Sequence, residues 1–270
     1  MNPQEPVTGI VLKRIPLGEA DTLVTVFTQE WGVIRAVAKG ARKTPSRWGG
    51  RTELFMTGRW RVTQGRWRHP EARSDQLYRL TEMEILYGFR GLSRQLERLL
   101  AAQYLGEVAL MYAPPGHAQP ELYVLVIEHL HRLENATPEG VLPCLCHALY
   151  HVLASAGLAP QVFHCHSCRC PVPTSLEEVG LSLTCGGIVC ENCHPTREQP
   201  LSLLSQPVWL GLQRLPQPVL DTAGIPMAAW VGVERVLRRI VEFHSERRIQ
   251  SASLLPQLGL RENLGQPHQP

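Results

Sequence analysis

Residues 8–43 read TGIVLKRIPLGEADTLVTVFTQEWGVIRAVAKGARK. Val, Ile, Leu and Thr dominate the stretch, and these are residues that fit a pleated, half-buried surface. Gly18-Glu19 divides it into two strand-like runs, TGIVLKRIPLG and ADTLVTVFTQ, and EWG marks a tight turn into a third, VIRAVAKG. In that third run Arg35 and Lys39 alternate against Ile34, Ala36 and Ala38. Alternation puts cations on one face of a sheet and apolar groups on the other. Residues 53–68, ELFMTGRWRVTQGRWR, repeat the idea with Arg59 and Arg61 flanking Trp60. Several short strands with Gly-rich turns in the first 80 residues predict a small β-barrel.

From about residue 81 the apolar period lengthens to that of a helix. LSRQLERLLAAQYLGEVALMY (92–112), PELYVLVIEHLHRLEN (120–135) and EGVLPCLCHALYHVLASAG (139–157) each read as helical. Pro143 suits the first turn of the third helix, and Gly157 falls just past its end, where a C-terminal glycine belongs. LSLLSQPVWLGLQRL (201–215) and AAWVGVERVLRRIVEFHSERR (228–248) are read as two more helices, and the tail GLRENLGQPHQP as frayed. The fold class expected is α+β with several domains. The barrel is expected to span 1–81, and a helical domain 82–160 and 199–270. A cysteine-rich module at 161–198 interrupts that helical domain. No apolar run reaches the roughly 18 residues a membrane span requires. The opening MNPQEPVTGIVLKRIP lacks a charged leader followed by an apolar run, so a cytoplasmic location is expected.

The formal net charge of +3 conceals an asymmetry. Residues 1–80 carry 14 Lys/Arg against 7 Asp/Glu, and residues 81–270 carry 13 against 17. Between Arg35 and Arg68 stand ten basic residues and one acid, Glu53. A basic part joined to a mildly acidic one suggests a polyanion-binding domain on a scaffold. A solvated charged surface is the plainer reading of such a run.

Cys165-His166-Ser167-Cys168 and Cys190-Glu191-Asn192-Cys193 are paired Cys-x2-Cys knuckles, 21 residues apart. In a reducing compartment eight cysteines are thiols or metal ligands before they are disulfides. Two knuckles supply four thiolates, the set that closes a tetrahedral structural zinc site with no open position. Cys170, Cys185, His164, His166 and His194 are nearby alternatives for a ligand. Cys144 and Cys146, two apart on a helix, are read as buried thiols. His-x-Glu before Pro-Cys-x-x-Cys, His-Glu-x-x-His, Gly-x-Ser-x-Gly and a phosphate-binding Gly-x4-Gly-Lys-Ser/Thr are all missing from the chain. The expectation is a protein without catalytic activity.

Residues 9–43 resemble the opening of the RecO family of bacterial recombination mediators. The resemblance rests on Val11-Leu12, Glu19 and Asp21, Phe27-Thr28 with Gly32, and Lys39-Gly40-Ala41-Arg42. AGLAPQVFHCHSC followed by CGGIVCENC extends it, through Gly157, Pro160, Gly186 and Gly187. The sequence departs from the family, which usually has a serine shortly after the basic motif, in that Thr44-Pro45-Ser46 intervene. Membership implies an N-terminal OB-fold, a helical region and an inserted zinc module. It implies binding of single- and double-stranded DNA and annealing of complementary strands. It also implies work with RecR in the RecFOR pathway, loading RecA onto DNA coated by single-stranded-DNA-binding protein. Some members lack the knuckles, so zinc is not required for the shared activity.

A small barrel grips single strands through a cationic groove and aromatic stacking. The candidate DNA contacts are Arg35, Lys39, Arg42, Lys43, Arg47, Arg51, Arg59, Arg61, Arg66 and Arg68. Trp48, between Arg47 and two glycines, is the leading candidate to stack on bases, in a loop expected to be mobile without DNA. Trp67 is a further candidate, Trp60 reads better as a packing residue, and Trp31 suits either role. Cys165, Cys168, Cys190 and Cys193 are the expected ligands of one zinc ion. Arg238, Arg239, Arg247 and Arg248 either border a groove for the acidic tail of single-stranded-DNA-binding protein or form the solvated stripe of their helix. Two competing readings are an RNA-binding or ribosome-associated zinc protein, since such barrels also bind RNA, and a zinc-dependent nucleic-acid enzyme.

Overall fold

A computed structural model describes residues 5–64, 77–193 and 201–257. Five strands close a barrel: β1 (Val7–Leu17), β2 (Asp21–Thr28), β3 (Gly32–Ala38), β4 (Met56–Gln64) and β5 (Leu77–Gly88). Their order is β1-β2-β3-β5-β4, with β4 returning to β1. The β3–β5 pair is parallel and the others are antiparallel, which makes the barrel OB-like. Register shifts in β1 between Val11 and Lys13, and in the β4–β5 ladder, add the local bend that a five-stranded closure needs. The interior is filled by alternate residues of each strand, among them Val11, Val24, Val26, Ile34, Ala36, Trp60, Val62 and Leu80. Trp60 is fully buried, and its indole N–H donates to the Gly9 carbonyl across the barrel seam at 2.9 Å. It is a packing residue.

The chain forms two compact units. The first contains residues 1–94 and 106–134, and the second contains residues 95–105 and 135–270. The helix α1 (Leu96–Tyr112) is shared between them, and α2 (Pro120–Asn135) lies almost wholly in the first. In that unit Tyr123 of α2 meets Phe27 edge-on, with ring centroids 5.7 Å apart. The Glu134 carboxylate accepts from the Tyr87 hydroxyl at 2.8 Å and the Gly91 amide at 2.7 Å. Two expectations change here. The last barrel strand continues past residue 81 to Gly88, and the residues of 82–160 are divided between the two units.

In the second unit α3 (Val141–Ser155) packs on α5 (Met227–Ser245), and α5 packs on α4 (Gln206–Arg214). Trp209 and Trp230 are buried there. Pro143 occupies the first turn of α3. Gly157 takes φ 73, and the amides of Gly157 and Leu158 return to the carbonyls of Ala154 and Leu153. That is the left-handed stop for which a glycine is suited. A three-stranded sheet, in the order β7-β6-β8, is formed by β6 (Glu178–Ser182), β7 (Gly187–Val189) and β8 (Ser202–Ser205). The helix expected over 201–215 therefore begins only at Gln206, with Pro207 in its first turn. Pairing of Ser202–Ser205 with β6 outweighs the local apolar spacing. Among the described residues no helix is long and apolar enough to cross a membrane.

Glu234 of α5 is buried. It accepts from the Tyr104 hydroxyl at 2.8 Å and lies 3.5 Å from the Arg238 guanidinium. Burial pushes its carboxyl above the ordinary 4.5, and the charge of Arg238 and the tyrosine hydrogen bond offset this only in part. The folded chain thus holds this proton more tightly than the unfolded one. The stability the group contributes is fully present below about 4.5 and is lost as pH rises through its raised folded value. Glu234→Gln keeps an acceptor for Tyr104 and removes the titration. Denaturant melts across the acid-to-neutral range should show the variant gaining on the parent as pH rises. Parallel profiles would contradict this.

Candidate nucleic-acid interface and candidate metal centre

Strand alternation determines which way β4 presents its charges. Trp60 and Val62 face the core, and Arg59 and Arg61 stand exposed on the outer side. Register with β5 sets Glu84 opposite Arg59 and Glu82 opposite Arg61. The ion pairs measure 3.7 Å and 2.8 Å. These two carboxylates escape a sequence reading, because they become neighbours of the arginines only through strand pairing. Arg47 and Arg51, from the segment between β3 and β4, complete an open cleft of about 430 Å³ lined by four arginines and two glutamates. Among the described residues neither Arg47 nor Arg51 makes an ion pair. The cleft therefore keeps a positive excess.

Trp48 does not stand free in its loop. It is 2% exposed, belongs to the barrel core, and donates its indole N–H to the Lys39 carbonyl at 3.0 Å. The Arg47 guanidinium lies over the ring, 4.4 Å from its centroid. The expectation of an exposed stacking indole is corrected: glycines and cations surround Trp48 in sequence, but the apolar ring takes the barrel interior. Trp31 is half-buried against the same core, its ring 6.1 Å from Tyr78.

The other predicted cations are dispersed. Lys39, Arg42 and Lys43 are exposed on the turn after β3. That turn is tied to the β1–β2 turn: the Gly40 amide donates to Asp21 Oδ1 at 2.8 Å, and Arg42 donates to the Gly18 and Ala20 carbonyls. Arg35 is half-buried on β3, in register with Thr25 and Leu77. Arg66, Trp67 and Arg68 lie outside the described residues, as does His194. On α5, Arg238 is engaged by Glu234 and Arg239 donates to the Ser202 hydroxyl at 2.7 Å. Arg247 and Arg248 are exposed beyond the helix end.

In the second unit the sulfurs of Cys165, Cys168, Cys190 and Cys193 lie within 4.8 Å of one another and could hold a metal ion. The β6–β7 hairpin brings the knuckles together. The His166 amide donates to the Ile188 carbonyl at 2.7 Å, and Gln161 bridges to Gly187. A side chain at Gly187 would collide with Gln161 backbone at 2.8 Å, so this close approach needs glycine. Cys165 is buried. Burial pushes its thiol up, but backbone N–H groups of Cys168, Cys190 and Ser167 outweigh this and bring it to about 6. Cys193, donating to Cys168, is pushed up to about 12. Cys170 Sγ lies 3.2 Å from Cys168 Sγ and is likewise pushed up to about 12, chiefly by that contact. Four sulfurs at about 2.3 Å from one zinc would stand about 3.8 Å apart, and Cys168 and Cys190 are 3.7 Å apart. The donor set and its spacing fit such an ion. Cys185 sits in the hairpin turn, outside this group. Cys146 is buried as expected, and Cys144 only half-buried.

Residues 1–89 match the family Recombination protein O N terminal, and residues 93–253 match Recombination protein O C terminal. The chain belongs to the RecO family. It is similar to the DNA repair protein RecO of a Synechococcus strain, at 47% identity over 92% of this chain and 88% of that relative. The RecO proteins of Gloeobacter violaceus and Gloeothece citriformis are 41% and 40% identical. They match over 92% and 93% of this chain and 91% and 96% of their own length. The family is one of DNA repair and recombination proteins. The RecO-like signature residues do mostly structural work here. Asp21 and Gly40 lock one turn. Thr28 accepts from the Trp31 amide and donates to the Gly32 carbonyl at the next.

Two outcomes follow. Trp48→Ala should cost about 3–5 kcal/mol of stability, the usual price of emptying a large aromatic site, measurable by chemical denaturation. A near-neutral result would return the indole to the surface. Cys190→Ser should lower bound metal in the isolated full chain to well under one equivalent by elemental analysis, with the barrel retained by circular dichroism. Undiminished metal would exclude this ligand set.

Proposed function

We propose that this chain is a non-catalytic DNA repair and recombination mediator that binds single- and double-stranded DNA through its barrel. On this reading it anneals complementary strands and, with RecR, helps load RecA onto DNA coated by single-stranded-DNA-binding protein. It works in the cytoplasm, at the nucleoid. The observation that carries the reading is the arginine-lined cleft on an OB-like barrel in a RecO chain. Annealing follows from the same chemistry, because two polyanions approach more readily when cations neutralise both. Arg47 and Arg51 are the principal phosphate contacts. Arg59 and Arg61 contribute after exchanging their glutamate partners, and Lys39, Arg42 and Lys43 extend the track with Arg35. The metal is one structural zinc ion on Cys165, Cys168, Cys190 and Cys193. Four thiolates fill a tetrahedron and leave no position for substrate, which supports a structural role. Arg239, Arg247 and Arg248 offer cations to the acidic tail of single-stranded-DNA-binding protein, with Arg238 the least available of the four.

The salt dependence of DNA binding tests the interface. For single strands each phosphate neutralised adds about 0.7 to the log–log slope. Arg47→Ala with Arg51→Ala should reduce that slope by about 1.4 and weaken all sequences alike. Arg59→Ala with Arg61→Ala should weaken binding with a smaller change in slope, since those cations begin paired with protein carboxylates. Binding that is indifferent to salt, or stronger for matched RNA than for DNA, would overturn the reading.

A further inference from the structure

The metal centre has five sulfurs for four coordination positions. Cys170 Sγ stands 3.2 Å from Cys168 Sγ, nearer than the 3.7 Å that separates Cys168 from its fellow ligand Cys190. The backbone sets this approach. Arg169, between the two cysteines, takes a left-handed φ of 63, and its amide donates to the Cys165 carbonyl. The Cys165 amide donates in turn to the Cys170 carbonyl at 2.8 Å, which closes the loop and holds both sulfurs on one side. Cys168 is exposed and Cys170 half-exposed, whereas Cys165 is buried. The exposed ligand thus has a spare thiol against it.

We propose that Cys170 is a resolving thiol for Cys168, making the cluster a peroxide-sensitive and reversible metal switch. The proposal rests on the four-thiol metal reading above. Hydrogen peroxide is the oxidant. The Cys168 sulfur attacks one peroxide oxygen, the O–O bond breaks, and a sulfenic acid forms at Cys168 with hydroxide as leaving group. The Cys170 sulfur then attacks the Cys168 sulfur, its S–H proton leaves, and the sulfenic oxygen departs as water. Two electrons pass from the sulfurs to peroxide: one thiolate, one thiol and one peroxide give one disulfide, one water and one hydroxide, which takes up a proton from solvent. Cys168 can no longer serve as a ligand, and three thiols hold the ion less firmly. A dithiol reductant reverses the step. Sulfenic acids near a second thiol are captured before further oxidation, whereas uncaptured ones proceed to irreversible acids. That is the protection Cys170 supplies.

The test uses the full chain as isolated, beside C170S. Elemental analysis comes first. One equivalent of zinc in both proteins is expected, and none in the parent would refute the metal reading itself. The proteins are then treated with hydrogen peroxide, released zinc is followed with a chromogenic chelator, and alkylated digests are analysed by mass spectrometry. In the parent, zinc release should accompany a Cys168–Cys170 disulfide, two hydrogen masses lighter. Dithiothreitol and added zinc should restore one equivalent. In C170S the same treatment should leave sulfinic or sulfonic acid at Cys168 and prevent recovery. A disulfide joining Cys168 to Cys190 or Cys193 in zinc-replete parent, no disulfide at all, or full recovery by C170S would overturn the proposal.

Discussion

The Trp48 indole is where the basic segment becomes structure. A seventeen-residue connection, 39–55, joins β3 to β4, and a loop of that length rich in glycine and cations would ordinarily sample many conformations. Burying one large ring in the barrel and giving its N–H to the Lys39 carbonyl removes that freedom. Arg47 stacks on the outer face of the anchored ring, and Arg51 follows where its amide bonds back to the Trp48 carbonyl at 3.0 Å. Thr52 and Phe55, both buried, complete the attachment before β4 begins. The position of Arg47 and Arg51, which make no ion pair among the described residues, therefore depends on an apolar contact.

The β4–β5 ladder imposes a different electrostatic character on the other half of the cleft. Exposed ion pairs such as Arg59–Glu84 and Arg61–Glu82 contribute little to stability. They matter for the charge the cleft presents, because each holds an arginine against a carboxylate. A free arginine releases a condensed counterion from DNA when it binds, whereas a pre-paired one must first give up a carboxylate that then remains nearby. The cleft thus combines two arginines that make no ion pair among the described residues with two that are held by carboxylates.

Local patterning made much of this architecture legible. Alternation in residues 8–40 yields β1 to β3, the knuckle spacing yields the thiol cluster, and Pro143 and Gly157 bracket α3. What escaped depends on pairing partners distant in sequence. Ser202–Ser205 carries a helix-like spacing and becomes a strand because β6 offers it a ladder. Residues 82–88 continue as β5 because β4 pairs with them as far as Met56. Trp48 sits among residues of loop character, and only closure of the barrel creates the apolar site that draws it in. Glu82 and Glu84 read as ordinary charges until register sets them across from arginines.

The small sheet of the second unit faces the opposite problem from the barrel. Its three strands have five, three and four residues, and two or three such strands are marginal in water without further support. The buried side chains of its segment, including Val162, Val172, Val179, Leu181, Ile188 and Leu204, are few and mostly small. The sheet is supported by α4, whose Trp209 donates to the Val162 carbonyl at 2.9 Å, and its β7 is tied to the first knuckle through the His166 amide on the Ile188 carbonyl. A metal there would act as a cross-link between residues 165 and 193, so its binding energy would serve as folding energy for the module. Of the four cysteines that would hold it, Cys168 is the exposed one. The OB-like barrel has no such need, since its core is filled by aliphatic and aromatic side chains with Met83.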